Sequence, residues 1–377
     1  MTQTEEEVKK NLKKMMQDSY LQDDLYTAGN YWKYYEKKIL NQINNNSLKR
    51  FRSWEGGTGS GNIQSFGGGD ELLGRSFKRN FHPLDNSFRF FDNFYFVQKY
   101  NSLINKILPY LPMLKFFLIR IAEVRKYFKD IHEARLKEKY ELIKKIDKDL
   151  VKISDSSFGI DNDKLISIEG KNYTNRFLKT LLHISELKKN TKFESINYVL
   201  ELGAGIGLFA SAFLKLNKKT KYLILDIPPT IIFSQYFLSN IGYKVYGYEE
   251  VRKEKNIDIK KIFENYDVIC LPTWKIEDLK DFKFDLFVNI YSFQEMEKKQ
   301  CLNYLSVLKK NLRKYIYIEN LISGHTKTKK KNSFGVLDQS NLQDIESSLS
   351  TEYKTLKKEL NISNQSYNII FEKINDV

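Results

Sequence analysis

The residues Tyr198-Val-Leu-Glu201-Leu-Gly203-Ala-Gly205-Ile-Gly207 lead a hydrophobic run directly into three glycines at alternate positions. Glycine lacks a Cβ, so Gly203 and Gly205 allow a sharp turn and a close approach of the backbone to a ligand. Gly207 is expected to let a following helix, Leu208 to Leu216, pack tightly against the strand. The pattern predicts a strand, a ligand-binding turn and a helix of an α/β domain.

The spacing of these glycines indicates which ligand binds. A dinucleotide-binding turn follows G-x-G-x-x-G and would require glycine at position 208, where Leu208 stands. Here the third glycine comes one residue earlier, and Glu201 stands two residues before the first. The pattern E-x-G-x-G-x-G is typical of Rossmann-like S-adenosylmethionine-dependent methyltransferases, whose ligand is a cation without a pyrophosphate.

A second apolar run, Lys221 to Asp226, ends in a carboxylate. An acid at the end of the second strand can accept two hydrogen bonds from ribose hydroxyls, so Asp226 is predicted to bind the cofactor. The alternative is that Asp226 caps the helix that starts near Pro228 and Pro229, since proline suits a first helical turn. The two roles are compatible.

Two further apolar runs end beside polar or aromatic residues. The run Tyr266 to Leu271 leads into Trp274, and the run Phe284 to Asn289 ends in an amide. Strands that alternate with helices predict a parallel sheet with crossover helices, in which ligands bind at the carboxyl ends of the strands. Trp274 and Asn289 are therefore expected to join Asp226 at one site.

Together, these motifs resemble the sugar O-methyltransferase family of bacteria. The likeness covers roughly residues 170–322 and is carried by Glu201–Gly207, Leu225–Pro228, Tyr236–Ser239, Leu271–Trp274, Asp285–Met296 and Tyr317–Asn320. It implies a Rossmann-like, mostly parallel seven-stranded sheet. It also implies S-adenosylmethionine as the cofactor and a sugar or glycan precursor as the methyl acceptor.

The resemblance further implies how the cofactor lies. Gly203, Ala204 and Gly205 would lie under the methionine part, Asp226 and Ile227 beside the ribose, and Trp274 near the adenine. The other residues predicted for the cofactor site are Glu201, Gly207 and Asn289.

Methyl transfer to oxygen needs a base that removes the hydroxyl proton. Glu295 is the first candidate, because it lies just past the fourth strand, on the loop that borders the acceptor in this fold. The alternative is that Glu295 only places a favourable charge at the start of the helix Met296 to Leu312. His82 and His325 are the other candidates, although a lone histidine is more often structural than catalytic.

Composition limits the class of protein. The chain has 377 residues, 41% of them hydrophobic, and a net charge of +15. Only eleven of its 62 basic residues are arginine, so the charge indicates a lysine-rich composition more than a specific nucleic-acid site. Cys270 and Cys301 provide neither a disulfide framework nor a metal-ligand spacing. A cytoplasmic enzyme without a bound metal is expected.

Two regions are expected along the chain. Residues 1–160 form a largely helical, aromatic-rich accessory region on the acceptor side, and their glycine-rich segment 56–69 is either a lid or an exposed loop. Residues 161–377 form the methyltransferase domain, which ends in a hairpin of Tyr353–Leu360 and Tyr367–Lys373. The resemblance implies that its antiparallel last strand is inserted into the sheet. No transmembrane segment is predicted.

Two other functions remain open. A methyltransferase acting on RNA would account for the charge, and one acting on another small molecule is also an alternative. The segment Asp226-Ile-Pro-Pro229 looks like the D-P-P-Y motif of base methylation, but it follows the second strand, whereas that motif belongs after the fourth. Methylation of a flipped-out base is therefore disfavoured. A non-catalytic protein that retains the fold is the third alternative, because every motif except Glu295 serves the cofactor. The sequence leaves homo-oligomer formation open.

Overall fold

An eight-stranded sheet forms the centre of the computed structural model, which describes residues 3–54, 130, 133–254, 256–279, 282–360 and 366–374. The strands are β1 (Ile166–Ile168), β2 (Lys171–Tyr173), β3 (Tyr198–Leu202), β4 (Lys221–Asp226), β5 (Val245–Tyr246), β6 (Val268–Pro272), β7 (Phe284–Ile290), β8 (Leu312–Leu321), β9 (Tyr353–Leu360) and β10 (Ser366–Lys373). Strands β1 and β2 form a separate antiparallel hairpin. The other eight follow the order β5-β6-β4-β3-β7-β8-β10-β9.

Strand direction confirms the predicted fold class. Neighbouring strands run parallel from β5 to β8, whereas β10 runs antiparallel between β8 and β9. The inserted antiparallel last strand is therefore present. The sheet has one strand more than the seven predicted, because Val245–Tyr246 adds a short edge strand beside β6.

Helices cover both faces of this sheet. They are α1 (Glu5–Ser19), α2 (Asn30–Asn45), α3 (Asn175–Asn190), α4 (Leu208–Leu216), α5 (Thr230–Asn240), α6 (Tyr248–Val251), α7 (Ile259–Asn265), α8 (Lys298–Lys310) and α9 (Leu342–Leu349). Residues 133–146 are also helical. The predicted bounds of α4 and β4 agree with the observed ones. None of the described helices has the length and apolar character needed to cross a bilayer.

The two faces carry different helices. One hydrophobic cluster joins one face of the sheet to α1, α2, α3, α4 and α5, and a second joins the opposite face to α7, α8 and α9. Side chains two residues apart in a strand lie on the same face. The residues two positions before Glu201, Asp226 and Glu319 belong to the first cluster, so these three carboxyl groups share one face of the sheet.

A buried ion pair ties the N-terminal residues to the segment before β1. Arg52 is fully buried and donates to Asp155 Oδ2 at 2.7 Å and to the Ser156 carbonyl at 2.7 Å. Helix α1 also packs against α5 and α6. The division of the chain at residue 160 stays a prediction.

Candidate cofactor and acceptor site

The glycine turn between β3 and α4 is left-handed at three positions. The φ angles of Gly203, Gly205 and Gly207 are +80°, +62° and +78°, which other residues rarely adopt. A Cβ on Gly207 would lie 2.9 Å from Leu238 Cδ1 and 3.6 Å from Ile224 Cδ1. This close packing at the start of α4 agrees with the role predicted for Gly207.

Gly203 contacts the loop that follows β7. A Cβ at this position would lie 2.0 Å from Ser292 Oγ, so the two loops leave no space for a side chain. Asn289 joins the same loops, because its Nδ2 donates to the Leu202 carbonyl at 2.9 Å and its Oδ1 accepts from Phe293 N at 3.0 Å. Asn289 is fully buried, and these contacts make it a residue that positions the site.

Asp226 closes the glycine turn. The N–H of Gly205 donates to Asp226 Oδ2 at 3.0 Å, and the N–H of Ile227 donates to Oδ1 at 2.8 Å. The lone-pair sites that the protein leaves open on this carboxylate can accept from ribose hydroxyls. The N-cap of α5 is Pro229, so Asp226 does not cap that helix. Burial raises the pKa of Asp226 to about 7, although hydrogen bonds from Ile227, Gly205 and Thr230 oppose the rise.

Glu201, at the end of β3, is also buried. The Tyr222 hydroxyl donates to its Oε2 at 2.8 Å. Burial raises the pKa of Glu201 to about 8; the bond from Tyr222 lowers it, and the negative charge of Asp226 raises it again. Glu201 and Asp226 therefore interact electrostatically across adjacent strand ends.

Glu295 lies in a short helical turn, Phe293–Glu295, before α8. The N-cap of α8 is Glu297, which forms a capping box with Gln300, so the helix begins at Lys298 and not at the predicted Met296. The side chains of Trp32 and Tyr31 donate hydrogen bonds to the Glu295 carboxyl group. Helix α2 thus provides part of the site.

The environment of Glu295 opposes its negative charge. Burial raises the pKa of this carboxyl group to about 8, the bonds from Trp32 and Tyr31 lower it, and the charge of Asp226 raises it. Glu201, Asp226 and Glu295 are therefore three carboxyl groups with raised pKa values near one glycine turn. A cation bound there would favour their ionised forms.

These groups fit S-adenosylmethionine. The carboxyl groups of Glu201, Asp226 and Glu295 accept hydrogen bonds, and the cofactor offers ribose hydroxyls, an α-ammonium group and a sulfonium charge. Ala204 and Ile227 are partly buried beside Gly205 and Asp226, and their contact with the cofactor stays a prediction.

Trp274 lies past the end of β6, in a groove shared with α1 and α6. The groove is also lined by Asp18, Tyr248 and Arg252. Arg252 Nε donates to Asp18 Oδ2 at 2.9 Å, and the Tyr248 hydroxyl donates to the same oxygen. Trp274 is partly buried, and its place beside the adenine stays a prediction.

His325, which follows β8, packs against α2. Its ring centroid lies 4.4 Å from that of Tyr31 and 5.2 Å from that of Phe334. Since Tyr31 also donates to Glu295, one tyrosine contacts two of the residues predicted as bases. The third, His82, lies outside the described residues, as does the glycine-rich segment 56–69.

The sequence reasoning missed a histidine and carboxylate pair next to this site. His183 Nδ1, on α3, lies 3.0 Å from Glu319 Oε2 and 2.8 Å from the Tyr317 hydroxyl. Burial opposes ionisation of Glu319, but the bond and charge of His183, the charge of Lys179 and the Tyr291 hydroxyl lower its pKa to about 2. The available signal was a polar residue on the apolar face of α3.

Comparison with known proteins found no matching protein family and no matching curated protein. Among solved structures, the mitomycin 7-O-methyltransferase MmcR is similar with a TM-score of 0.36 and 9% identity, over 53% of this chain and 57% of that chain. The pyocyanin biosynthetic protein PhzM gives a TM-score of 0.34 and 9% identity, over 52% and 56%. The chain thus matches little more than half the length of either protein.

A third similar structure is magnesium protoporphyrin IX methyltransferase (ChlM) from Synechocystis PCC 6803 with bound SAM. Its TM-score is 0.34 at 8% identity, over 53% of this chain and 80% of that chain. At such low TM-scores and identities these similarities carry no argument about function. The fold assignment rests on the strand order, and the function is argued from the site.

Proposed function

We propose that this chain is an S-adenosylmethionine-dependent O-methyltransferase that methylates a hydroxyl group of a sugar or glycan precursor. The observation that carries the proposal is the bond from Gly205 N to Asp226 Oδ2, which joins a left-handed glycine turn to the acid at the end of the next strand. The antiparallel strand β10 between β8 and β9 adds support, because methyltransferases of this class were expected to have it.

Each of the proposed cofactor residues would contact a different part of the ligand. Gly203, Ala204 and Gly205 would hold the methionine part, Asp226 and Ile227 the ribose, and Trp274 the adenine. When bound, S-adenosylmethionine supplies an electrophilic methyl group on a positively charged sulfur. Glu201 and Asp226 place negative charge around that cation, and Asn289 holds the loops after β3 and β7 together.

The acceptor must lose a proton to a base of the protein. Glu295 is kept as a candidate because Trp32 and Tyr31 fix its carboxyl group beside the cofactor acids. His325 and His82 are kept as further candidates. A pKa of about 8 leaves Glu295 mostly protonated at neutral pH, so it becomes a base only when a nearby cation favours its ionised form.

The choice of a sugar is supported by the surface near Glu295. Trp32 and Tyr34 are partly buried on α2, and Phe334 is 43% exposed in the loop after β8. The ring of Phe334 lies 5.9 Å from that of Tyr31. Aromatic faces next to hydrogen-bonding groups offer the mixed apolar and polar surface that a sugar ring requires.

An assay of methyl transfer would test this function. It would offer labelled S-adenosylmethionine with nucleotide-activated sugars, surface glycans and RNA in parallel. We expect label on a carbohydrate, and less of it with the Asp226→Ala variant when the cofactor concentration is below that variant's raised Kd. Transfer to one RNA sequence that persists at physiological salt would replace the sugar by RNA as the acceptor. Failure to bind the cofactor would favour the non-catalytic alternative.

Retention of RNA by the protein would not by itself support RNA as the methyl acceptor. The lysines of residues 327–331 are exposed and belong to a chain in which lysine dominates the basic residues. Such lysines predict weak, sequence-independent retention that falls steeply as the salt concentration rises. A salt titration of RNA binding beside the transfer assay separates this retention from specific recognition.

A further inference from the structure

The pair of His183 and Glu319 has the geometry of a proton acceptor held by a carboxylate. The ionised Glu319 carboxylate can only accept hydrogen bonds, so its Oε2, at 3.0 Å from His183 Nδ1, favours the tautomer in which Nδ1 carries the proton. The Tyr317 hydroxyl, 2.8 Å from the same nitrogen, can accept from it as well and receives a bond from Asn368 Nδ2 at 2.9 Å. In neutral His183 the lone pair is therefore on Nε2.

The Nε2 atom is left for another partner. Within the part of the chain that the structure describes, this atom makes no hydrogen bond. The His183 side chain is 9% exposed. A nitrogen with a lone pair, a fixed tautomer and limited access to solvent is the arrangement by which a carboxylate prepares a histidine to take a proton.

Tyr291 connects this pair to the cofactor turn. Its hydroxyl donates to Glu319 Oε1, and its backbone N–H donates to the Glu319 carbonyl at 2.7 Å. The next residue, Ser292, fills the space where a Cβ of Gly203 would lie. Tyr291 itself has a φ of +57°, and a left-handed aromatic residue is the kind of local strain found at functional sites.

We propose that His183, oriented by Glu319, takes the proton from the acceptor hydroxyl, an inference that rests on the proposed methyltransferase function. The O–H bond breaks, its proton moves to Nε2, and its electron pair stays on the oxygen. That oxygen forms the bond to the methyl carbon as the carbon–sulfur bond breaks and leaves its electron pair on sulfur. The resulting imidazolium is stabilised by the Glu319 carboxylate.

Other charged and titratable groups lie around His183. Those that face it or its carboxylate are Lys179 and Glu186 on α3, Tyr291 after β7, Tyr317 and Glu319 on β8, and Lys357 on β9, which pairs with Glu186. Glu319 is the only carboxylate among them in direct contact with the ring in the described structure. We therefore attribute the tautomer to Glu319.

The first measurement needs no acceptor. Nitrogen-15 NMR of the full chain, free and with S-adenosylhomocysteine, reports which nitrogen of each histidine carries a proton. The chain has four histidines, and the signal lost in His183→Gln identifies His183. We expect the Nδ1–H tautomer, and the Nε2–H tautomer would overturn the inference.

The second measurement compares variants on the carbohydrate that the methyl-transfer panel identifies. We expect His183→Gln to lower kcat by about 10² to 10⁴, the usual contribution of a positioned base, and to remove the acidic limb of the pH profile of kcat/KM. Glu319→Gln should lower kcat less, because the amide oxygen of the new glutamine can still accept a hydrogen bond from Nδ1. Glu264→Gln, which changes an exposed acid of α7, is the control and should stay within threefold of the wild type.

Binding of S-adenosylhomocysteine separates loss of chemistry from loss of folding. It should be unchanged in His183→Gln, and if that variant does not fold, Glu319→Gln and the tautomer decide. Near-normal turnover of a folded His183→Gln, or loss of the acidic limb in Glu295→Gln instead, overturns the inference and leaves the proposed function intact. If wild-type protein binds no cofactor or methylates no member of the panel, both proposals fail together.

Discussion

The backbone N–H of Gly205 donates a 3.0 Å hydrogen bond to Oδ2 of Asp226, so the turn after β3 and the end of β4 form a single cradle. Gly205 also accepts a bond of 2.6 Å from Ser234 Oγ through its carbonyl, which adds α5 to the cradle. A change at Asp226 is therefore expected to affect the turn and, if the proposed function holds, the binding of the ribose.

Asp226→Ala should weaken S-adenosylmethionine binding. Loss of two hydrogen bonds to ribose hydroxyls is expected to cost about 1 to 3 kcal/mol, which corresponds to about a 5- to 150-fold higher Kd by calorimetry. Glu264→Ala removes an exposed acid from α7 and serves as the control with unchanged affinity. Equal affinity of both variants and the wild type would contradict the placement of the ribose.

Gly207→Ala should destabilise the protein more than Gly170→Ala does. Both glycines are left-handed, with φ of +78° and +74°, so both substitutions incur about 1 to 2 kcal/mol of backbone strain. Only at Gly207 does the added Cβ meet a neighbour, Leu238 Cδ1 at 2.9 Å, whereas no atom lies within 4 Å at Gly170. Denaturant unfolding of the two variants measures the difference, and equal losses would argue against tight packing at α4.

Binding of S-adenosylmethionine near pH 7 should release protons. The pKa of Asp226 is raised to about 7 and that of Glu295 to about 8, and a cation beside them favours the ionised forms. S-Adenosylhomocysteine lacks the sulfonium charge and should release fewer. Calorimetry in buffers of different ionisation enthalpy counts the protons. The difference in proton release between the two ligands should shrink in Glu295→Gln. If the wild type released equal numbers of protons with both ligands, the effect of the sulfonium charge on these carboxyl groups would be contradicted.

The ligand-free protein should lose stability as the pH rises from about 4.5 to about 8. In that range an unfolded Glu295 ionises while the folded one, with a pKa of about 8, keeps its proton, so the folded state binds more protons. Stability then falls with pH, at most by about 1.4 kcal/mol per pH unit for one group. Melting temperatures of the wild type and Glu295→Gln across this range test the sign. A steeper fall of melting temperature with pH in Glu295→Gln than in the wild type would contradict this prediction.

The sequence predicted those parts of the fold and site that depend on residues close to each other in the chain. The bounds of α4 and β4 were correct because apolar runs, glycines and a terminal acid all lie within a few positions of each other. The same holds for the last hairpin, where Tyr353–Leu360 was predicted as one strand and observed as β9. Asp226 at the end of β4 follows from this local pattern too.

Contacts between distant residues could not be predicted in this way. Tyr31 and Trp32 reach Glu295 from the N-terminal helix α2, and a pattern of side chains along one helix does not state which loop it will meet. His183 and Tyr317 are 134 residues apart. His183 lies between the buried residues Leu181 and Leu187 of α3, but the carboxylate beside it became visible only when β8 was placed in the sheet.

Strand β9 is bonded within the described sheet to β10 alone, and β10 comes later in the chain. During synthesis the residues of β9 leave the ribosome before their partner exists, and β8 meanwhile presents an unpaired edge. Open edges pair readily with other chains. A ribosome-stalled chain that exposes residues up to 360 should therefore bind chaperones or self-associate through β8, and release of residues 366–373 should end this by closing the edge.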